Sequence, residues 1–269
     1  MIKLPNAKTD KSKIVRNLGK KYKYVPYLEK AIGEFEDPWT FTYHEKEPDN
    51  FWHPSGHCTP PASELYGIAT GQVKPEAISG SLRKTFQVGH FWHQWLQYIT
   101  LHKLEMCKPE AIERRAMRAW GDKEVARVGI NEHGLTAEGW KPAPFHAVAG
   151  SGDLAPLEAP DWTGLVDYKT MNSANFKQQG LPPRFEAKYE CQINVYMDLF
   201  DMAEAIILPV HKDTGDFKEF LYERNQPLVD TIMEKLEFVS ACLDAGEAPT
   251  DEDDKMFPIA PLLRGPVSV

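Results

Sequence analysis

Residues 150–170 read GSGDLAPLEAPDWTGLVDYKT, and they predict two strands that meet at a polar site. The stretch contains two carboxylates, Asp153 and Asp167, and Lys169 follows the second by two positions. Side chains alternate between the faces of a strand, so a strand LVDYKT places Asp167 and Lys169 on one face and Tyr168 on the other. Two carboxylates beside an ammonium group are typical of a site that holds a divalent metal next to a phosphate.

A surface ion pair is the alternative interpretation of this stretch. Asp and Lys two positions apart on a solvated strand contribute at most about 1 kcal/mol and need no function. Leu165 and Val166, however, begin the segment as a buried strand would, and a buried charged pair is costly without a function. Asp153 follows Gly152 and by itself fits a turn, but a second aspartate on the next strand favours a common site.

The composition is that of a globular protein. The chain has 269 residues, of which 42% are hydrophobic and 26% charged, and this length is sufficient for one large domain. No apolar run reaches the roughly 18 residues that cross a bilayer, and the lysine-rich start lacks the apolar segment of a secretory signal. We therefore expect a cytoplasmic protein with no membrane partner. The net charge of −8 argues mildly against coating nucleic acid through bulk charge.

Four cysteines, at positions 58, 107, 191 and 242, are widely spaced and form no CxxC pair. This spacing excludes a zinc ribbon and makes a disulfide scaffold a poor interpretation. We expect reduced, intracellular thiols.

The order of elements predicts an α/β fold with a mixed sheet flanked by helices and a site at the end of the central strands. The chain is expected to be a single domain, with a basic N-terminal arm and helical region over 1–50, a core over 81–245 and an acidic, mobile tail over 247–269. In the core the patterns predict helices at 81–107, 111–120, 184–202 and 227–246, and strands at 123–130, 135–141, 145–154, 163–170, 204–210 and 216–223, with a proline-containing loop between the third and fourth strands.

The N-terminal arm has two interpretations that the sequence leaves open. Tyr22, Tyr24 and Tyr27 stand among lysines in residues 1–36. Basic and aromatic residues interleaved in this way contact phosphates and stack on bases. Alternatively, the tyrosines dock on the core and only the lysines face solvent.

Polar residues at four-residue spacing on two helices complete the candidate site. Gly89 and His93 share one face of the helix before the strands, and Gln192 and Tyr196 share one face of the helix after them. Two carboxylates and an imidazole suit Mg²⁺ or Mn²⁺, and Mn²⁺ tolerates the nitrogen better. A histidine on an aromatic helix is also often a core residue, and the carboxylates are the reason to favour a ligand.

The chemistry of such a site is phosphoryl transfer. A bound metal lowers the pKa of a water molecule and neutralises charge on a phosphoryl oxygen. Lys169 is placed to position that water or to stabilise the charged phosphorus centre. The backbone carbonyl of Tyr168, on the same strand, is a further candidate oxygen ligand.

Four short motifs in this order resemble the PD-(D/E)XK nuclease superfamily, and within it the RecB-like exonuclease branch that includes the CRISPR-associated adaptation nucleases and their phage relatives. The resemblance covers residues 51 to about 225. Each motif alone is weak, but four in the family's order are fairly specific. They are GHFWH at 89–93, GSGD at 150–153, VDYKT at 166–170 and QINVY at 192–196.

The resemblance implies a restriction-endonuclease-like core and a metal-dependent DNA exonuclease that acts on linear single- or double-stranded DNA in recombination or DNA processing, with a recombination protein as a possible partner. The alternatives are an inactive DNA-binding module of the same fold and a metal-dependent endonuclease. The implied roles are as follows: His93, Asp153, Asp167 and the Tyr168 carbonyl bind metal, Asp153, Asp167 and Lys169 are catalytic, and Gln192 and Tyr196 contact the DNA backbone or steady the site.

Many members of this branch also hold an iron–sulfur cluster, through one cysteine before the core and three near the C-terminus. Cys58 stands at the first of these positions, but Cys242 alone follows the core, and Cys191 lies inside the QINVY helix. A cluster needs four thiolates, so we expect none. Glu132 and Glu138 precede the first aspartate and are further candidate carboxylates, between which the sequence does not choose.

Overall fold

The fold is α/β, with a six-stranded mixed sheet flanked by helices. A computed structural model describes residues 23–28, 50–73, 80–120, 125–131 and 133–267. The strands lie in the order β2-β1-β3-β4-β5-β6; β4 and β5 pair in parallel, and all other neighbours are antiparallel. Their bounds are Ile112–Ala119 (β1), Val125–Gly129 (β2), Ala147–Ala159 (β3), Trp162–Met171 (β4), Glu204–His211 (β5) and Phe220–Glu223 (β6).

Helices cover both faces of the sheet because the central strands are apolar on both faces. On β4, Leu165 packs with the cluster that contains Ile193, whereas its neighbour Val166 packs with the cluster that contains Leu96. Among the long helices that the structure describes, the one at 80–102 therefore lies on one face, and those at 183–199 and 226–245 lie on the other. The helices are Pro54–His57 (α1), Ala62–Ala69 (α2), Gly80–His102 (α3), Ser173–Phe176 (α4), Pro183–Leu199 (α5) and Gln226–Ala245 (α6).

The segment 111–120, predicted as a helix, is the strand β1, and that prediction was wrong. Its alanine, arginine and glutamate residues have high helix propensity, but a ladder from Ile112 to Ala119, interrupted at Glu113, pairs it with β3 and overrides that weak local preference. Two other strand predictions fail. Residues 135–141 form turns, and β3 continues through Pro156 to Ala159 instead of ending in a loop.

The sheet splits between β3 and β4, and this split creates the site. The two strands pair from Ala159 and Trp162 back to Leu154 and Val166, where their register ends. Beyond Val166, β4 continues to pair with β5 alone, as far as Met171. The backbone of β4 thus loses its partner on one side just where the sequence carries its charged residues.

The N-terminal segment that the structure describes docks on the core. Tyr24 is fully buried, and its hydroxyl contacts Thr100 and, at 3.0 Å, the hydroxyl of Tyr168. The carboxylate of Glu219 accepts hydrogen bonds from three successive backbone N–H groups, at residues 23–25. Docking is therefore the correct interpretation for Tyr24, while the rest of the predicted arm, at 1–22 and 29–49, lies outside the described residues.

The acidic tail, expected to be mobile, lies against the core as far as residue 267. Glu190, buried in α5, accepts hydrogen bonds from the backbone N–H groups of Arg264 and Gly265 at 2.6 and 3.0 Å. Val267 donates its N–H to the carbonyl of Leu221 in β6. These contacts hold the C-terminal segment on α5 and β6.

Among the described helices, none combines the length and the apolar character needed to span a membrane.

Candidate active site

His93 reaches the split between the strands because α3 packs closely on β4. A Cβ atom at Gly89 would lie only 3.1 Å from Oγ1 of Thr170, so glycine permits this approach. His93 follows one helical turn later on the same face. Its Nδ1 lies 3.3 Å from Oδ1 of Asp153, which the sequence predicted as its partner in the site.

Asp153 fills the gap that the split leaves in the sheet. Its side chain is almost completely buried, and Oδ2 accepts a hydrogen bond of 2.6 Å from the unpaired backbone N–H of Tyr168. Burial by itself would raise the pKa of Asp153, but the charge and hydrogen bond of His93 outweigh it and hold that pKa below its usual value. Asp153 is therefore a carboxylate at neutral pH.

Asp167 and Lys169 form a buried ion pair, with Nζ 2.7 Å from Oδ2, on the face of β4 that the alternation predicted. Asp167 is only 4% exposed, which excludes the solvated surface pair considered from the sequence. Burial would lower the pKa of Lys169, but the charges of Asp167 and Asp153 outweigh it and raise that pKa. The lysine is thus a stable ammonium group inside the site.

The carboxylate of Asp167 is incompletely satisfied. Oδ2 is buried and, among the described residues, has no hydrogen-bond partner, although it lies 2.7 Å from Nζ of Lys169 as an ion pair. Oδ1 accepts only a long bond, 3.5 Å, from Nε2 of Gln192. Burial raises the pKa of Asp167; the charge of Lys169 opposes that rise without cancelling it, and the charge of Asp153 adds to it.

Gln192 and Tyr196 lie beside Asp167, packed between α5 and the sheet. Nε2 of Gln192 also donates to the Tyr196 hydroxyl at 3.3 Å, and both side chains are about 95% buried. A Cβ atom at Gly150 would lie 2.5 Å from Cε1 of Tyr196, so the first glycine of GSGD allows the ring to rest on β3. This geometry suits the role of steadying the site, and DNA contact by the pair stays a prediction.

The chemistry of the candidate ligands suits Mg²⁺ or Mn²⁺. Two carboxylates, an imidazole and a backbone carbonyl are hard or borderline ligands of the kind these ions prefer, and Oδ2 of Asp167 has an ion-pair partner but, among the described residues, no hydrogen bond. In the ranges that the structure describes, no three His, Cys, Asp or Glu side chains form a group arranged to hold a metal ion. His93 is turned to Asp153 at 3.3 Å, and Lys169 is turned to Asp167 at 2.7 Å, so each carboxylate has a nitrogen neighbour instead.

Gln97 and Glu113 adjoin the site and were not predicted. Gln97, one turn beyond His93, donates to Oε1 of Glu113 at 2.9 Å and to the backbone carbonyl of Asp153 at 3.3 Å. Glu113 has a left-handed backbone with φ of 48° inside β1, an arrangement that costs energy for a non-glycine residue. In the sequence, the four-residue spacing from His93 was the signal that could have identified Gln97.

Of the two glutamates proposed from sequence, Glu138 is exposed, and Glu132 lies outside the described residues.

A second cluster, Ser173, His211 and Asp213, superficially resembles a hydrolase triad. Nδ1 of His211 accepts hydrogen bonds from the backbone N–H groups of Asp213 and Thr214. Its proton is therefore on Nε2, which donates to Oγ of Ser173 at 2.9 Å. A ring that donates to the serine cannot accept its proton, so this cluster does not activate a nucleophile.

The cysteines are likewise unsuited to nucleophilic chemistry. All four are free thiols; burial raises the pKa of Cys58 far above its usual value and that of Cys191 to about 12.

The buried ammonium group of Lys235 donates to the carbonyl oxygens of Cys58 and Pro60 at 2.8 and 2.7 Å. This lysine anchors the segment after α1 to α6.

Comparison with known proteins adds little to this geometry. No family model matches the chain, and no curated protein does. The crystal structure of SSO0001 is similar at 16% identity with a TM-score of 0.46, over 80% of this chain and 85% of that chain. A similarity this low supports no argument about family or activity.

Proposed function

We propose that this chain is a divalent-metal-dependent DNA nuclease of the PD-(D/E)XK superfamily, built on a restriction-endonuclease-like core, and that it acts as an exonuclease in recombination or DNA processing. The observation that carries the proposal is the meeting of His93, Asp153, Asp167 and Lys169 at the split between β3 and β4. These residues come from three separate elements. Two buried carboxylates with two partly buried nitrogen partners are expensive to maintain for stability alone.

Each residue has a definite task in this proposal. His93, Asp153, Asp167 and the carbonyl of Tyr168 would hold Mg²⁺ or Mn²⁺, which supplies a Lewis acid for a phosphoryl oxygen when bound. Lys169 keeps its proton and is placed to neutralise the charge that develops on the phosphate during hydrolysis. Gln192 and Tyr196 keep the Asp167 carboxylate in position.

Two alternatives use the same site. An inactive DNA-binding module would not need a protonated lysine paired with a poorly satisfied carboxylate, and both are present. An endonuclease would need the same residues, so the local geometry does not separate it from an exonuclease. The preference for an exonuclease comes from the resemblance of the GHFWH and QINVY helices to the RecB-like branch.

The test is cleavage of end-labelled linear single- and double-stranded DNA and of closed circles by the purified full chain with Mn²⁺ or Mg²⁺. We expect metal-dependent degradation of linear DNA, and a loss of at least about 100-fold in Lys169→Met and Asp167→Asn. Asp161→Asn, in the exposed turn between β3 and β4, is the matched control and should keep full activity. Cleavage of closed circles would favour the endonuclease, and an inactive wild type would refute the enzyme.

A further inference from the structure

One turn of α5 extends the candidate site outward from Asp167. Lys188 precedes Gln192 by four residues, so the two side chains project from one face of the helix, about 5–6 Å apart at Cβ. Tyr189, the next residue, lies against the catalytic lysine: Nζ of Lys169 is 5.1 Å from the centre of its ring. Lys188 therefore stands at the mouth of the site, whereas Gln192 is at its base.

Lys188 is a cation beside another cation. It is exposed, and within the described part of the chain its side chain has no ion-pair or hydrogen-bond partner. Partial burial, and after it the positive charge of Lys169, lower the pKa of Lys188. Lys169 has Asp167 as counter-charge, but Lys188 has none among the residues that the structure describes. An anion placed between the two groups would remove the repulsion and gain two attractive interactions.

We propose that Lys188 binds the phosphate next to the scissile phosphate of a nucleic-acid strand. The inference rests on the proposed function, because it places the scissile phosphate at Lys169. Lys188 stands one helical turn before Gln192, whose amide contacts the carboxylate that pairs with Lys169, so a strand that reaches Lys169 passes Lys188 at the mouth of the site. The site then recognises a strand with successive phosphates in preference to a small diester with one. Lys188 contributes to substrate binding, while Lys169 contributes to chemistry.

The experiment is fluorescence anisotropy of a labelled single-stranded thymidylate oligonucleotide in EDTA, where no cleavage occurs, over a series of KCl concentrations. Lys188→Gln should weaken binding about 3- to 10-fold and reduce the slope of log affinity against log salt by about 0.7, the value for one phosphate contact on a single strand. Lys188→Arg should keep the slope. Lys255→Gln removes the same charge from the C-terminal segment, where Lys255 pairs with Glu252, and should bind as the wild type does.

The outcomes separate this inference from the proposed function. If Lys188→Gln binds the oligonucleotide as tightly as the wild type, with the same slope of log affinity against log salt, the role of Lys188 is overturned and the nuclease proposal stays intact. A similar loss in Lys255→Gln also overturns it, because the effect would then be one of net charge. If the wild type neither binds nor cleaves the oligonucleotide, both proposals fail. In steady-state cleavage the loss in Lys188→Gln should fall on KM; a loss in kcat alone would contradict a binding role.

Discussion

Replacing Gly150 by alanine tests whether the packing of α5 on β3 supports the site. The new Cβ atom would lie 2.5 Å from Cε1 of Tyr196, well below the 3.4–4 Å of ordinary contact, and Tyr196 has a rigid, buried ring. Overpacking of this kind costs about 1–3 kcal/mol. Alanine recovers about 0.4–1 kcal/mol by restricting the unfolded chain. The cost of overpacking exceeds the gain from the unfolded chain, so we expect a net loss of about 1–2 kcal/mol in the free energy of unfolding, measured by urea denaturation.

The same substitution should reduce activity. Displacing Tyr196 moves Gln192, whose amide bonds both the Tyr196 hydroxyl and Asp167, and the loss of such supporting contacts lowers activity about 10-fold or more. Gly180→Ala is the matched control, because nothing lies within 4 Å of a Cβ atom there. Combining Gly150→Ala with Tyr196→Leu removes the colliding atom, so the two costs should not add. A Gly150→Ala protein as stable and active as the Gly180→Ala protein would refute the reasoning.

Two further predictions concern buried charges away from the site. Burial lowers the pKa of Lys235 from 10.5 to about 8 in the folded protein. Between about pH 8 and pH 10.5 the unfolded chain therefore keeps a proton that the folded protein has lost, so the free energy of unfolding rises with pH. The free energy of unfolding of the wild type, relative to Lys235→Met, should therefore increase by about 2 kcal/mol from about pH 7 to pH 9.5; a flat difference would contradict the buried cation. Glu190→Gln weakens the anchor of the tail at Arg264, so trypsin should cleave after Arg264 faster than in the wild type, with Glu186→Gln as control. Equal cleavage rates would show that Glu190 does not hold the tail.

The sequence was sufficient for elements whose pattern and propensity agree. The helix that carries Gln192, the helix that ends at Gly246 and the strand VDYKT all lie close to their predicted positions. In each, apolar spacing and local preference favour the same structure. The ion pair of Asp167 with Lys169 followed from alternation along one strand, which needs no knowledge of the rest of the fold.

Features that depend on distant pairing were not accessible in this way. The residues of β1 favour a helix, and a helix was predicted there; the strand forms because it pairs with β3. Glu113 reaches Gln97 and Ser151 through that register, so its place near Asp153 could not be derived from local spacing. The split between β3 and β4, which gives Asp153 its backbone partner, is likewise a property of the assembled sheet.

The most direct test of the central claim is calorimetric titration of the full chain with Mn²⁺. We predict a saturable site in the wild type, and a loss of affinity of at least about tenfold in both Asp153→Asn and Asp167→Asn. Asp161→Asn should bind as the wild type does. A wild type without measurable binding, or variants that bind Mn²⁺ as tightly as the wild type, would contradict a metal site at the split between β3 and β4.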